Sequence, residues 1–345
     1  MTIEADDKAT VSAQAPDPAQ RGPVEELVPA RTGFAVRLRD LVGGIRSRNK
    51  LGPLARRKER WFYLLISIWA VGFLAFNAGP ILAAFGLSFS NFNLTQGAEW
   101  AGLTHYQDML EDPLVIKTLG NTIYYTLGSV IISLILAFFL AVLLNQKVRG
   151  INIFRTFFFL PSVVSGVAVI MLWGLIFNPQ FGMLNAFLGW FGIEGPAWLQ
   201  DEGWAMPAVI LMSVWNIGWM MLVYLAGLQG IPQELYEAAE IDGASSWSKM
   251  RHITIPLISP VTFFLLVTNI IFSFQVFTPT YVLTRGGPNN ATMTMSLLIF
   301  LAAFQWNRMG FATAIAVVLF IIIMAVTVFQ FTFSGRWVHY ETAVD

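Results

Sequence analysis

The sequence contains no cysteine, few charged residues and only three histidines. Without cysteine the chain forms no disulfide bond, no thiolate nucleophile and no cysteine-ligated zinc or iron–sulfur site. The histidines, His105, His252 and His339, lie far apart, and we predict no metal site from them. Charged residues make up 12% of the chain, whereas soluble domains carry roughly 25%. The formal net charge is +0 and no basic run is interleaved with aromatic residues, so no nucleic-acid partner is expected.

Long apolar runs occupy most of the remaining sequence. Hydrophobic residues make up 56% of the 345 residues, and the mean hydropathy is +0.61. A helix needs about 20 apolar residues to cross the bilayer core. Six segments meet that length: Trp61–Ala84, Thr118–Leu144, Ile153–Phe177, Ala205–Leu228, Leu257–Val282 and Phe311–Phe333. The sequence therefore predicts an all-α membrane protein with six transmembrane helices in residues 61–335.

The distribution of lysine and arginine predicts the orientation of these helices, because loops that carry them resist translocation. From Arg37 onward, one set of alternate segments carries 15 of them and the other set carries three, Lys117, Arg285 and Arg308. We therefore expect a multi-pass protein of the cell (inner or plasma) membrane with both termini in the cytoplasm. Residues 1–60 would form a cytoplasmic N-terminal tail and residues 336–345 a cytoplasmic C-terminal tail. The acidic, Ala/Pro-rich residues 1–35 have no apolar period and are predicted to be disordered.

Ionisable residues are almost absent from the six segments, with Arg155 at the start of the third as the exception. A charge at the membrane centre costs about 2.5 to 3.5 kcal/mol on insertion scales, and it is kept mainly where an ion site or a proton relay needs it. The sequence therefore disfavours a pump coupled to protons through carboxylates. Energy for any transport would have to enter the protein elsewhere.

Uncharged polar residues do occur within the segments, and some are candidates for a solute path. Asn216 in "SVWNIGW" and Gln275 in "FSFQVFTP" each place an amide beside aromatic rings, a combination suited to a neutral polyhydroxylated ligand. Ser273 and Asn121 are two further candidates. The alternative interpretation is that each side chain only bonds a neighbouring helix or its own preceding turn.

A charged hairpin, residues 231–256, interrupts the apolar sequence. Pro232 fits the first turn of a helix, and Gly243 fits its end, where a left-handed residue is needed. On a helical projection, Leu235, Ala238, Ala239 and Asp242 share one face, opposite Tyr236, Glu237 and Glu240. Ser245 or Ser246 would cap a second short helix that ends before "ITIP", whose Pro256 opens the fifth span. From charge alone, this segment is an ordinary solvated loop.

The spacing within the hairpin resembles a known motif. Glu237, Ala238 and Ala239 are followed after three residues by Gly243, and after nine more by Ile253, Ile255 and Pro256. This resembles the EAA loop of importer permeases in the ATP-binding-cassette superfamily, E-A-A-x3-G-x9-I-x-L-P, with Ile255 in place of leucine. Stretches such as "FRTFFFLPSVVSGVAV", "YLAGLQGIPQELYEAAEIDGAS" and "YVLTRGGPNNATM" also resemble the carbohydrate-uptake permeases of the maltose and glycerol-3-phosphate type.

The resemblance implies a type I importer-like fold and an importer in which separate subunits carry out transport and ATP hydrolysis. The chain would be one of two permease subunits, working with a dimer of ATPase subunits and an extracytoplasmic solute-binding protein that delivers a sugar, an oligosaccharide or a sugar-like polyol. Glu237 would bind a basic or polar group in a groove of the ATPase, Ala238 and Ala239 would permit close packing, and Gly243 would make the bend. ATP and Mg²⁺ would be held by the partner ATPase, with no cofactor on this chain.

The sequence itself agrees that ATP is not hydrolysed here. A phosphate-binding loop requires G-x-x-x-x-G-K-[ST], and none of the six lysines follows a glycine. No catalytic residue pattern is present, so the chain is predicted not to be an enzyme. Two alternatives remain at this stage. A stand-alone secondary transporter or channel for a neutral polar solute would show an internal repeat, and no clear halving is visible. A membrane scaffold would use the hairpin for docking without solute flux.

Overall fold

The computed structural model describes residues 53–93, 97–146, 148–164 and 166–339. Most of the predicted N-terminal tail 1–60, including all of residues 1–35, lies outside the described residues, as does 340–345 at the C-terminus. The described part is helical and contains no strand beyond two isolated β-bridges, Ser90 with Trp100 and Asn93 with Gly97. The predicted all-α class is confirmed for this part of the chain.

Fifteen α-helices are present in the described residues, and the chain divides after Phe73 into two units. They are α1 (Pro53–Phe73), α2 (Gly79–Leu87), α3 (Thr104–Glu111), α4 (Pro113–Leu144), α5 (Ile151–Phe159), α6 (Gly166–Ile176), α7 (Met183–Gly189), α8 (Glu202–Ser213), α9 (Gly218–Gln229), α10 (Gln233–Ile241), α11 (Ser246–Lys249), α12 (Ile255–Phe274), α13 (Thr278–Leu283), α14 (Met295–Phe300) and α15 (Met309–Ser334). Short 3₁₀ turns cover Leu160–Val163 and Val214–Asn216, and π turns cover Leu74–Ala78, Met250–Thr254 and Leu301–Gln305.

Among the described residues, four helical stretches are long and apolar enough to cross a membrane: Trp61–Leu87, Pro113–Leu144, Ser246–Leu283 and Met309–Ser334. Two further candidates are pairs of helices that meet at an angle. Ile151–Val163 meets Gly166–Ile176 at 98°, and Glu202–Asn216 meets Gly218–Gln229 at 47°. Length and composition therefore give four spans, or six if each bent pair is one span.

The bend between α8 and α9 has identifiable causes. The helix tightens into the 3₁₀ turn Val214–Asn216 before α9 begins, whereas Pro207 lies earlier, inside α8. A Cβ atom on Gly218 would lie 2.5 Å from the carbonyl oxygen of Phe158. Glycine is therefore required where α9 starts against the backbone of α5.

The larger apolar cluster surrounds the second half of α4. Ala137 and Ala141 are fully buried there, and their small side chains let α9 and α12 come close. The other members that these three helices contribute are Val130, Leu134, Leu144, Met220, Met221, Tyr224, Leu225, Leu228, Ile258 and Leu265. Packing of this cluster fixes the distance between α4 and α12, the two helices that frame the cavity described below.

A second apolar cluster joins α14 and the first half of α15 to α3 and the start of α4. Gly310 makes the tightest approach here, because its N–H donates to the Phe92 carbonyl at 3.1 Å and a Cβ atom would lie only 1.9 Å from the Ser90 carbonyl oxygen. Outside the two clusters, large apolar side chains are exposed along α1, α5 and the end of α15, including Trp69, Phe154 and Phe329. Surfaces of this kind suit lipid or another subunit.

Candidate functional site

The first helix of the hairpin, α10, has the predicted end and nearly the predicted start. Gly243 adopts φ +74°, its N–H donates to the Glu240 carbonyl at 3.0 Å, and the Ala244 N–H donates to the Ala239 carbonyl at 2.8 Å. These two bonds form a Schellman motif, in which the left-handed residue is usually glycine. Pro232 lies one position earlier than predicted, as the N-cap residue in extended conformation.

The second helix, α11, begins as predicted but does not end as predicted. The Ser245 hydroxyl oxygen accepts the Ser248 N–H at 3.2 Å and caps the helix. The expectation that the helix stops before Ile253 is wrong, because the π turn Met250–Thr254 carries it without a break into α12. The Ile255 N–H reaches back to the Met250 carbonyl, and this wider turn accommodates the ring of Pro256, which would clash in a regular α-helix.

Two side-chain contacts hold the hairpin together. The Lys249 ammonium group donates to the Glu240 carboxylate at 2.6 Å and joins α11 to α10. This hydrogen bond, together with the positive charge of Lys249, lowers the pKa of the Glu240 carboxyl from its ordinary value. At the base of the hairpin, the hydroxyl groups of Tyr236 and Thr254 lie 3.0 Å apart. The hairpin is therefore stabilised by one contact near its tip, Lys249 with Glu240, and by another at its base, Tyr236 with Thr254.

The half-buried side of α10 takes one residue from each of the two projected faces. Tyr236 and Ala239 are half-buried, with Tyr236 in contact with Thr254, whereas Ala238 is exposed. Glu237 is also exposed, and its carboxylate has no hydrogen-bond or ion-pair partner among the described residues. Of the remaining motif residues, Gly243 and Ile255 are exposed, and Ile253 and Pro256 are half-buried.

An exposed apolar patch at the hairpin tip was not identified from the sequence. Ile241 is 87% exposed and Trp247 is 68% exposed, and Leu235 is exposed on the same helix as Ile241. The acidic side chains of Glu234, Glu237 and Asp242 are exposed along the same helix and its end. The signal was present in the sequence, since an isoleucine and a tryptophan within an otherwise polar hairpin need burial against something. We call Ile241 and Trp247, which lie at the end of α10 and in α11, the tip patch.

A polar cavity of about 290 Å³ lies between α4, the bend after α8 and the end of α12. Three of the four predicted path residues, Asn216, Ser273 and Gln275, line it. No charged side chain belongs to its lining. Other polar or aromatic lining residues are Tyr125, Ser129, Ser133, Ser213, Asn269, Phe272, Phe277 and Thr278. Neutral amides and hydroxyl groups beside aromatic rings are therefore the chemistry that this cavity offers.

Hydrogen bonds leave part of this polar surface available. The Gln275 amide nitrogen donates to the Ile271 carbonyl at 2.8 Å, so its carbonyl oxygen remains as an acceptor facing the cavity. The Ser129 hydroxyl donates to the Ser273 hydroxyl at 3.4 Å across the interface between α4 and α12. Asn216 is exposed in the 3₁₀ turn between α8 and α9. The bend in this helix pair therefore places an amide at the cavity.

The fourth predicted residue, Asn121, lies outside the cavity lining. Its amide nitrogen donates to the carbonyl oxygens of Asn290 and Met293 at 2.8 Å and 2.9 Å, in the loop before α14. Sequence reasoning missed Tyr125 and Ser133, which line the cavity instead. They could have been found from their spacing, because Tyr125, Ser129 and Ser133 follow one another at intervals of four on α4.

Comparison with known proteins decides the family. The model of the family described as "Binding-protein-dependent transport system inner membrane component" matches residues 129–339. The chain belongs to this family. The probable ABC transporter permease protein YesP of Bacillus subtilis is 39% identical over 285 residues, 81% of this chain and 92% of YesP. The arabinooligosaccharides transport system permease protein AraP of Bacillus subtilis is 34% identical and covers 80% of this chain and 88% of AraP.

A solved structure agrees with this membership. The permease is similar to a chain in the crystal structure of a bacterial ABC transporter involved in the import of the acidic polysaccharide alginate, with TM-score 0.72 and 25% identity over 81% of this chain and 96% of that one. The permease is thus a multi-pass membrane component of a binding-protein-dependent ABC importer, which favours this prediction over a stand-alone transporter or a scaffold. Among its described residues, no group of three or more His, Asp or Glu could hold a metal ion.

Proposed function

We propose that the permease is one of two transmembrane subunits of an ATP-driven importer for a sugar, an oligosaccharide or a sugar-like polyol. One observation carries the proposal: the helix that runs from Ser246 to Phe274 begins in the hairpin and ends in the cavity wall. A force applied to the hairpin therefore reaches Ser273 through one continuous helix, and Gln275 directly follows the end of that helix. AraP, named for arabinooligosaccharides, supports a carbohydrate solute.

Six spans suit this function, with each bent helix pair crossing the membrane once. The lysine and arginine count then places both termini and the hairpin in the cytoplasm. The loop before α14 and helix α3 lie at the opposite ends of the same spans, outside the cell. The chain has no phosphate-binding loop, so ATP and Mg²⁺ are bound by a separate dimer of ATPase subunits.

The hairpin is the docking element for the ATPase. The tip patch supplies apolar side chains that need burial, and the unpaired Glu237 carboxylate supplies a charge for a basic or polar group of the partner. Ala238 allows a close approach because its side chain is small and exposed. The Lys249–Glu240 ion pair and the Gly243 turn hold both short helices in one fixed arrangement, so that movement of the ATPase is passed on.

The cavity receives the solute from an extracytoplasmic binding protein. Its uncharged amides and hydroxyl groups exchange hydrogen bonds with sugar hydroxyl groups, and the rings of Phe272 and Phe277 pack against the apolar faces of sugars. Phe272 is 74% exposed in the isolated chain, as expected of a residue that also faces a companion permease subunit. The two subunits together enclose the path, and alternating access follows when ATP binding and hydrolysis change which state the partners prefer.

The test is purification of the tagged permease from its native membrane, with identification of co-purifying proteins. We expect a nucleotide-binding ATPase and a second six-span permease. Gly243→Val should lose the ATPase, because valine rarely adopts φ +74°, while the membrane level of the permease stays unchanged. Gly335→Val is the matched control, since both positions have open space around a Cβ atom but Gly335 has φ −60°.

Two results would contradict this proposal. If the wild-type permease purifies alone and moves solute in vesicles without ATP, the importer proposal is wrong. If the ATPase is retained by Gly243→Val as well as by Gly335→Val, the hairpin is not the docking element. Uptake of labelled oligosaccharides by the wild-type complex then identifies the solute.

A further inference from the structure

Three side chains of α4 hold the loop that precedes α14. The Lys117 ammonium group donates to the Asn289 carbonyl, and the Asn121 amide donates to the Asn290 and Met293 carbonyls. The Thr122 hydroxyl oxygen accepts the Met295 N–H at 2.9 Å and so caps α14 from a different helix. Met295 is 1% exposed and Thr122 is fully buried, so this last bond is shielded from water. We call Lys117, Asn121 and Thr122 the α4 clasp.

The loop held by the α4 clasp has an unfavourable backbone. Three of its non-glycine residues have positive φ: Arg285 at +52°, Asn289 at +43° and Asn290 at +57°. Such conformations persist where surrounding contacts enforce them, and they concentrate at functional sites. Two of the three carbonyls bonded by Lys117 and Asn121 belong to Asn289 and Asn290. The α4 clasp therefore holds the loop at two of its positive-φ residues.

The same loop is fastened on its other side to the break between α12 and α13. The Thr294 hydroxyl donates to the Val276 carbonyl at 2.9 Å and lies 3.4 Å from the Thr280 hydroxyl. Both threonines are fully buried. Within the loop, the Thr292 hydroxyl donates to the Gly287 carbonyl at 2.7 Å. The loop thus bridges α4 and the break.

Both attachment points lead directly into the cavity wall. On α4, Tyr125 and Ser129 follow Asn121 at intervals of four residues. At the break, Val276 is itself a lining residue and Phe277 follows it. The loop is therefore attached to both walls of the cavity.

We infer that this loop, Arg285–Thr294, is the element through which a docked solute-binding protein acts on the cavity, with Lys117, Asn121 and Thr122 as positioning residues. Arg285 and Asn289 are exposed at the loop surface, where the binding protein would press. The inference rests on the proposed function, because it requires a binding protein and an ATPase that responds to it. It adds the route by which the docking of a loaded binding protein outside the cell affects the cavity.

The test compares two neighbouring threonines of α4. Thr118 and Thr122 are both fully buried, and both donate to the carbonyl four residues earlier, Leu114 and Thr118 respectively. Only Thr122 also accepts a hydrogen bond from outside its helix. Thr122→Val removes the clasp contact with Met295, Thr122→Ser retains it, and Thr118→Val is the matched control.

ATP hydrolysis is measured on the complete importer in lipid nanodiscs, with and without loaded binding protein. For Thr122→Val we expect binding-protein stimulation at saturation to fall about fivefold or more, with basal hydrolysis and subunit co-purification unchanged. Thr122→Ser and Thr118→Val should behave as wild type. Lys117 is exposed, so Lys117→Met should leave folding intact. This variant should also lower the stimulation by the binding protein.

Three results would overturn the inference. Full stimulation in both Thr122→Val and Lys117→Met would show that the α4 clasp transmits nothing. Loss of apparent affinity for the binding protein, with full stimulation at saturation, would show that the loop only shapes the docking surface. An equal loss in Thr118→Val would indicate a packing effect of helix α4. If wild type itself lacks an ATPase partner or any stimulation, it is the proposed function that has failed.

Discussion

Lys249 and Glu240 form an ion pair of 2.6 Å that joins the two short helices of the hairpin. The pair lies at the surface, with Glu240 63% exposed, so its role is to fix geometry more than to add stability. Because Glu240 lies on α10 and Lys249 on α11, nine positions later and beyond the Gly243 turn, their contact defines the angle between the two helices.

The ion pair predicts a pH dependence of hairpin order. The pKa of Glu240 is lowered in the folded protein, so the contribution of the pair is fully present above the ordinary carboxyl value of 4.5 and is lost as the pH falls below it through the folded value. The protection factors of the α10 and α11 amides against hydrogen exchange should therefore fall below this range. Glu240→Gln should show the faster exchange already at pH 7, whereas Glu234→Gln, on the same helix, should not.

The tip patch predicts a selective loss of the ATPase. Ile241→Asp or Trp247→Asp places a charge where apolar burial is expected, and this should abolish co-purification of the ATPase while the second permease subunit remains bound. Leu110→Asp is the control, because Leu110 is 79% exposed but lies on α3, next to the opposite end of α4. Retention of the ATPase by both tip variants would contradict the assignment of this surface.

The cavity predicts a change in solute affinity. Gln275→Leu removes the free amide oxygen without altering the volume greatly, and the apparent KM for uptake should rise about tenfold because one solute hydroxyl loses its partner. Thr268→Val is the control: Thr268 lies on the same helix, bonds only the Phe264 and Leu265 carbonyls of α12 and does not line the cavity. An unchanged KM in Gln275→Leu would remove Gln275 from the solute path.

Replacing Gly310 or Gly120 with alanine should change the stability of the folded protein in opposite directions. Gly310→Ala would place a Cβ atom 1.9 Å from the Ser90 carbonyl and 2.8 Å from Nε2 of His105, so it should destabilise the protein by at least about 1 to 3 kcal/mol. Gly120→Ala meets nothing within 4 Å on α4 and should stabilise it by about 0.5 to 1 kcal/mol. Thermal unfolding in detergent, followed by tryptophan fluorescence, measures both. If Gly310→Ala unfolds at the same temperature as wild type, the backbone around Ser90 can shift at little energetic cost.

Signals that depend on adjacent residues predicted local structure well. Gly243 and Ser245 were identified as a helix end and a helix cap because each acts through backbone groups within five residues of itself. The apolar segments likewise follow from local length and composition. The cytoplasmic orientation, the coupling roles of the motif residues and the count of six spans remain predictions.

Features that depend on distant contacts were not predictable in this way. Tyr236 is half-buried with its hydroxyl group 3.0 Å from that of Thr254, 18 residues later, and the helical projection of α10 alone gives no sign of this contact. Asn121 was assigned to the solute path from its position within a span, yet its partners lie about 170 residues further along the chain. The continuation of α11 into α12 depends on a π turn that Pro256 gave no reason to expect.

The absence of a break between α11 and α12 has a mechanical consequence. From Ser246 to Phe274 the helix contains 29 residues, which at ~1.5 Å per residue is a rod of about 43 Å. The bilayer core is only about 30 Å thick, so the rod projects beyond the hydrocarbon and acts as a lever. A tilt of about 10° displaces one end relative to the other by about 7 Å, more than one helical turn of ~5.4 Å. Under the proposed function, a small rotation at the hairpin would be passed along this one helix to Ser273.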